Sequence, residues 1–304
     1  MASLTDPKFA GFDLLQTTYK TVGDHAIRTD IIVPQAASTA KQPIIVRFHG
    51  GGLAMGDSLF ADFWPQWLSD LALQHHAVIL SPNYRLMPQA TGLNIYNNVE
   101  DFWAWVRSGA VNDLLAAHST PSEADLLRIL VAAVATYPSL DVGSVDFSQP
   151  QTDLLPFGQN VPKSVVDSYV ASLPKDVPVS SAVGEAYLPL MLACVEHGRL
   201  PEWYKRDSGS KQDLLYPARR LEKPDVQIPT GGITIIQGRQ DSVVPAHHSE
   251  PFVPWAKEVL KGKPGGDKIS LVFQEGEHGF DGDIRYDEPW LHEALQMAVR
   301  AWLA

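Results

Sequence analysis

The sequence predicts an α/β fold: a mostly parallel sheet with helices on both faces, interrupted by an inserted helical segment. Three observations predict it. Short apolar runs at residues 43–48, 77–80, 233–236 and 269–273 alternate with helix-like stretches at 61–75, 95–117, 252–260 and 288–303. Residues 149–229 break this rhythm; they hold ten of the 23 prolines and only short apolar patches. Apolar residues make up 45% of the 304-residue chain, enough for a sizeable core.

The elements follow in order. Residues 12–19 and 26–33 read as a hairpin about Gly23-Asp24. A polar loop leads to the strand 43–48, which ends in His49-Gly50-Gly51-Gly52. An aromatic helix, 61–75, precedes the buried strand 77–80. The next helix, 95–117, carries Phe102, Trp103, Trp105 and Val106 at spacings that face a sheet. Two strand-like runs, 128–131 and 132–138, then stand end to end. Helices are expected at 165–173 and 182–197, inside the proline-rich stretch. Residues 1–148 and 230–304 are therefore expected to form the core and 149–229 a cap.

The formal net charge of −11 excludes nucleic acid as an expected partner, since an acidic chain repels phosphate backbones. The single cysteine, Cys194, permits no internal disulfide. The N-terminus shows no basic segment followed by an apolar one, and the longest apolar run, 129–135, is far below the ~20 residues of a membrane span. A cytoplasmic protein without a membrane span is expected. No phosphate loop, dinucleotide fingerprint or zinc spacing is present, so no cofactor and no metal are expected. The pairs His75-His76 and His247-His248 read as surface residues, because neighbouring histidines on a helix point about 100° apart and rarely share an ion.

Three motifs carry chemistry. Phe48-His-Gly-Gly-Gly-Leu53 closes a strand with glycines that let backbone N–H groups turn toward a developing oxyanion. Asp241 follows the strand 233–236, where a carboxylate can orient an imidazole. His278 follows the strand 269–273, placed to act as general base. Each alone has a plain reading as a turn or surface residue. Together, in the order glycine loop, acid, histidine, they point to acyl transfer.

The run Arg47-Phe-His-Gly-Gly-Gly-Leu-Ala-Met-Gly-Asp57 resembles the hormone-sensitive-lipase-like branch of the α/β-hydrolase fold, as does Ser81-Pro-Asn-Tyr-Arg-Leu-Met-Pro88. The resemblance extends over nearly the whole chain from Phe12. It implies an α/β-hydrolase fold with a cap, and carboxylesterase or lipase chemistry on small-molecule esters, with amide hydrolysis an open alternative. It also implies Asp241 and His278 as catalytic acid and base, and Gly51 and Gly52 as oxyanion donors.

One part of the family pattern is missing. The family's nucleophile sits in a Gly-x-Ser-x-Gly turn after a strand, and no serine here has glycines at both flanking positions. Ser58, in Gly56-Asp-Ser-Leu-Phe60, comes closest but follows the wrong strand; Cys194 lies in the expected cap. No nucleophile is therefore assigned. The runs 128–131 and 132–138 correspond to neighbouring strands fused directly. Adjacent parallel strands need a crossover of a dozen or more residues, so one strand–helix unit, about twenty residues, is read as absent. The expectation is an esterase scaffold that is inactive or strongly impaired, and less stable than an intact relative. The alternative is a non-catalytic small-molecule-binding protein on the same scaffold. Trp203 and Tyr204 read as cap packing, with the lining of an acyl pocket as the alternative, and Asp141 reads as a turn or network residue.

Overall fold

The computed structural model describes residues 5–36, 40–119, 121–128, 130–151, 155–174, 177–185 and 187–304. The first sheet contains β1 (Phe12–Val22), β2 (His25–Pro34), β3 (Ile44–Val46) and β4 (Val78–Pro82), in the order β1-β2-β4-β3. The hairpin β1–β2 is antiparallel and longer than its sequence pattern suggested. β2 runs antiparallel to β4, while β3 and β4 are parallel. Helix α1 (Gln66–Gln74) makes the crossover between β3 and β4. It starts at Gln66 rather than Ala61 because Pro65 caps it, leaving a separate 3-10 turn at Ala61–Phe63.

After β4, Thr91 starts α2 (Gly92–Arg107) with a capping box: its hydroxyl accepts from the Asn94 N–H, and the Asn94 side chain accepts from the Thr91 N–H, both at 3.2 Å. Gly109, at φ 91°, then breaks the expected continuous helix, and α3 (Ala110–Ala116) follows as a separate element. Residues of β2 and β4 alternate between two cores. Ile31, Val78 and Leu80 pack with Phe102 and Val106 of α2, whereas Ile32 and Ile79 pack with Trp67, Leu68 and Leu71 of α1. That alternation places helices on both faces of the sheet.

The second sheet contains β5 (Ala133–Thr136) and, after five helices, β6 (Ile233–Gly238) and β7 (Ile269–Gln274). The helices are α4 (Val145–Ser148), α5 (Ser164–Ser172), α6 (Tyr187–Glu196), α7 (Leu200–Lys205) and α8 (Pro217–Leu221). All three strands are parallel, in the order β5-β6-β7, with α9 (Ser249–Val259) as the β6–β7 crossover. The closing helix α10 (Pro289–Leu303) packs against β5 and β6 and also joins the core beneath α1. No helix among the described residues is long and apolar enough to cross a membrane.

The expected single sheet is therefore two sheets, and β3 does not pair with β5. Of the two fused strand-like runs, only the second forms a strand. Leu126–Arg128 is a 3-10 turn, Leu130 takes φ 61° and stands exposed, and Ile129 lies outside the described residues. A cavity of about 1000 Å³ runs between the two facing edges, lined by Ile44, Ile45 and Val46 on one side and by Ala133–Thr136 on the other. The Trp302 indole of α10 donates to the Ile44 carbonyl at 3.0 Å, so one edge group is capped by a side chain rather than by a strand.

Asp281 ties the two halves together. Its buried carboxylate accepts from the Trp67 indole of α1 and from the Tyr137 hydroxyl just after β5, each at 2.9 Å. Asp281→Ala would strand both donors beside the cavity, and hydrogen bonds to a charged acceptor contribute about 1.5–3 kcal/mol each. A loss of about 3 kcal/mol in urea unfolding is expected; a change below about 1 kcal/mol would show that the carboxylate holds nothing together.

Candidate functional site

The glycine loop leaves β3 and folds back under Met55. Gly51 adopts φ 108° and Gly52 φ 59°, and a Cβ on Gly51 would come within 2.3 Å of the Met55 carbonyl oxygen. The Gly51 carbonyl accepts from Ala54 and Met55 N–H, at 3.1 and 3.0 Å. The Gly51 and Gly52 N–H groups donate to no other described group, and both residues line the cavity. Free N–H groups on a glycine turn are suited to an anionic oxygen.

His49 anchors the loop from below. Its ring stacks on Tyr84 with centroids 4.3 Å apart, and the Tyr84 hydroxyl donates to the His49 carbonyl at 2.6 Å. Burial pushes its pKa down to about 4, so the ring is neutral. Nδ1 lies 2.8 Å from the Gly50 carbonyl and therefore carries the proton. Nε2 is left as a buried acceptor without a partner among the described residues.

The acid and the histidine meet at the ends of β6 and β7. The buried Asp241 carboxylate accepts from Val243 and Val244 N–H at 2.9 and 2.7 Å and from the Gln237 amide at 3.0 Å. Its Oδ2 stands 2.9 Å from His278 Nδ1. A proton on Nδ1 bridges this pair, which leaves Nε2 as a base. Glu277, which sequence reasoning missed, fixes the geometry. It accepts from the Ser242 N–H and hydroxyl and from the His278 N–H, at 2.6–2.7 Å, stapling the histidine loop to the acid loop. Its one sequence signal is an acid directly before the histidine.

His278 lines the same cavity as Gly51 and Gly52. Its Nε2 has no hydrogen-bond partner among the described residues. Beside the imidazole stands the Tyr137 ring, 4.3 Å between centroids, whose hydroxyl is engaged by Asp281. Ser139 is the one described serine lining the cavity; its buried hydroxyl bonds to no described group, and it lies after Pro138 without flanking glycines. Ser58 is elsewhere, fully buried, accepting from Arg28 at 2.9 Å and donating to Asp30. Cys194 is enclosed in α6, where burial pushes its thiol up to about 12. Tyr204 lines the cavity, whereas the buried Trp203 does not, and Asp141 accepts from the Gly143 N–H in a turn. His75 is not a plain surface residue: it packs edge-on against Trp302 at 5.8 Å, because α1 lies over α10.

A family profile described as alpha/beta hydrolase fold matches residues 45–134, the span from β3 through the glycine loop to β5. The whole chain is similar to the probable carboxylesterase M8 of Phoma sp., with 26% identity covering 97% of this chain and 98% of the relative. These likenesses support an α/β-hydrolase fold similar to the hormone-sensitive-lipase-like branch. The fold likeness extends to solved structures. A protein of unknown function from Staphylococcus aureus Mu50 shares 17% identity at a TM-score of 0.62, covering 94% of this chain and 98% of that one. Esterase LipW of Mycobacterium marinum shares 15% at 0.54, covering 96% and 82%. The Phoma alignment runs over 328 positions against the 304 residues of this α/β-hydrolase, so the relative has at least two dozen residues with no counterpart here.

Proposed function

We propose that this chain is a carboxylic-ester hydrolase scaffold that has lost its nucleophile. In this reading Asp241 and His278 are the acid and base, Gly51 and Gly52 the oxyanion donors, and residues 149–229 the cap. The observation that carries the proposal is the unpartnered imidazole. In a cavity that gathers the glycine loop and His278, no described serine or cysteine hydrogen-bonds Nε2. The base is oriented, the oxyanion donors are free, and the attacking hydroxyl is missing. Turnover needs all three acting together. The missing residues are assigned to the join between Val131 and Ala132. Part of the family's backbone oxyanion donation, the N–H after the nucleophile, is missing with them.

Binding survives this loss. Met191 of α6, Leu200 of α7 and Tyr204 line the cavity from the cap side, and the N–H groups of the glycine loop are unspent. The chain is therefore read as retaining small-molecule esters without turning them over. Short-chain p-nitrophenyl esters test both halves. Hydrolysis by the native protein and by His278→Ala is expected to be equally close to background. A non-hydrolysable amide analogue is expected to raise the melting temperature of the native protein. Hydrolysis abolished by His278→Ala would overturn the loss of the nucleophile. If Ser139→Ala abolished it as well, that serine would be the attacking group.

A further inference from the structure

His247 and His248 are not absorbed by the site above. They lie on the 3-10 turn Ala246–His248 that opens α9, in the loop carrying Asp241. Asp146 reaches them from α4, 101 and 102 residues away. The Nε2 atoms of His247 and His248 stand 2.6 and 2.8 Å from the same Asp146 oxygen, and all three donor atoms lie within 4.8 Å of one another. The two rings are stacked at 4.8 Å with planes only 25° apart, so both nitrogens face one point. The divergence expected of neighbouring helical histidines does not apply on this turn.

We propose that Asp146, His247 and His248 form a binding site for a divalent transition-metal ion of the zinc type. Two neutral imidazoles and one carboxylate make the borderline donor set that such ions prefer over magnesium or calcium. Metal–ligand bonds of about 2.0–2.1 Å in a tetrahedron place donors about 3.3 Å apart. The two oxygen–nitrogen contacts need to open by about 0.5–0.7 Å to admit the ion. Among the described residues no lysine or arginine pairs with Asp146, so its charge is met only by the two imidazoles. His247 is exposed on its outer side, which leaves a fourth position open to water or a ligand atom. The ion would clamp α4, whose Phe147 lines the cavity, onto the acid loop, whose Val243 and Val244 line it too. The site would act as a clamp beside the cavity, since none of its three ligands lines the cavity itself.

Untagged protein titrated with zinc chloride at pH 7.5 tests the proposal by calorimetry and by melting temperature. One ion per chain with a micromolar Kd, and a melting temperature raised by several degrees, is expected. Cobalt(II) should give the visible absorption of a four-coordinate nitrogen–oxygen site, while magnesium leaves the melting temperature unchanged. His247→Ala, at an exposed position where folding is not at stake, is expected to weaken zinc by about tenfold or more. Asp146→Asn should do the same, and His278→Ala should leave affinity unchanged. Equal zinc affinity in the native protein and His247→Ala, or no binding at millimolar zinc, would overturn the site. Loss of affinity in His278→Ala alone would place the ion at the ester site instead.

Discussion

Insertion of a strand, a Gly-x-Ser-x-Gly turn and its following helix between Val131 and Ala132 is expected to raise ester turnover by about a millionfold. The size follows from what a triad serine contributes: its removal from a well-studied protease costs on the order of a millionfold in kcat. On the proposed reading the remaining parts already stand in place. Asp241 faces His278 Nδ1 at 2.9 Å, Glu277 holds the two loops together, and the glycine loop keeps its N–H groups free. On the proposed reading, insertion also supplies the backbone N–H after the nucleophile, which would complete the oxyanion hole. The measurement is kcat on p-nitrophenyl butyrate, with labelling of the inserted serine by an organophosphate followed by mass. Replacing that serine by alanine should return the rate to background. A folded insertion variant that stays at background would show that the scaffold is damaged elsewhere.

The same insertion is expected to raise the unfolding free energy by about 5 kcal/mol, through a few newly buried apolar side chains at about 1.5–3 kcal/mol each. The cavity shows why the gain is large. Its apolar walls include Trp67, Leu71 and Trp302, surface of the kind that an inserted strand and helix would cover. The native chain should bind anilinonaphthalene sulfonate with a bright signal, and the insertion variant should not. Equal stability of the two proteins in urea would mean that the chain closes the slot by itself.

Much of this was legible in the sequence because it is locally encoded. β4 is buried at all five positions, and the apolar run at 77–80 announces it. The glycine loop, Asp241 and His278 each follow a strand end, so topology alone brings acid and histidine together. What could not be read is pairing across long separations. Asp281 joins Trp67, 214 residues away, to Tyr137, and Asp146 meets His247 and His248 from a different element. No local pattern encodes such a meeting. The run at 128–131 misled for the opposite reason. Its apolar composition suits a strand, but with no crossover to β5 it has no neighbour to pair with, and Leu130 turns out to solvent.

The split between the sheets also governs how the protein behaves in company. Val46 and Val134 belong to short margins of three and four residues that, among the described residues, meet no neighbouring strand on their outer side. Such margins recruit extended backbone from other chains, and their shortness together with the Trp302 plug keeps that recruitment weak. Self-association that grows with protein concentration is the expected consequence of a sheet left open down its middle, and light scattering across a concentration series checks it.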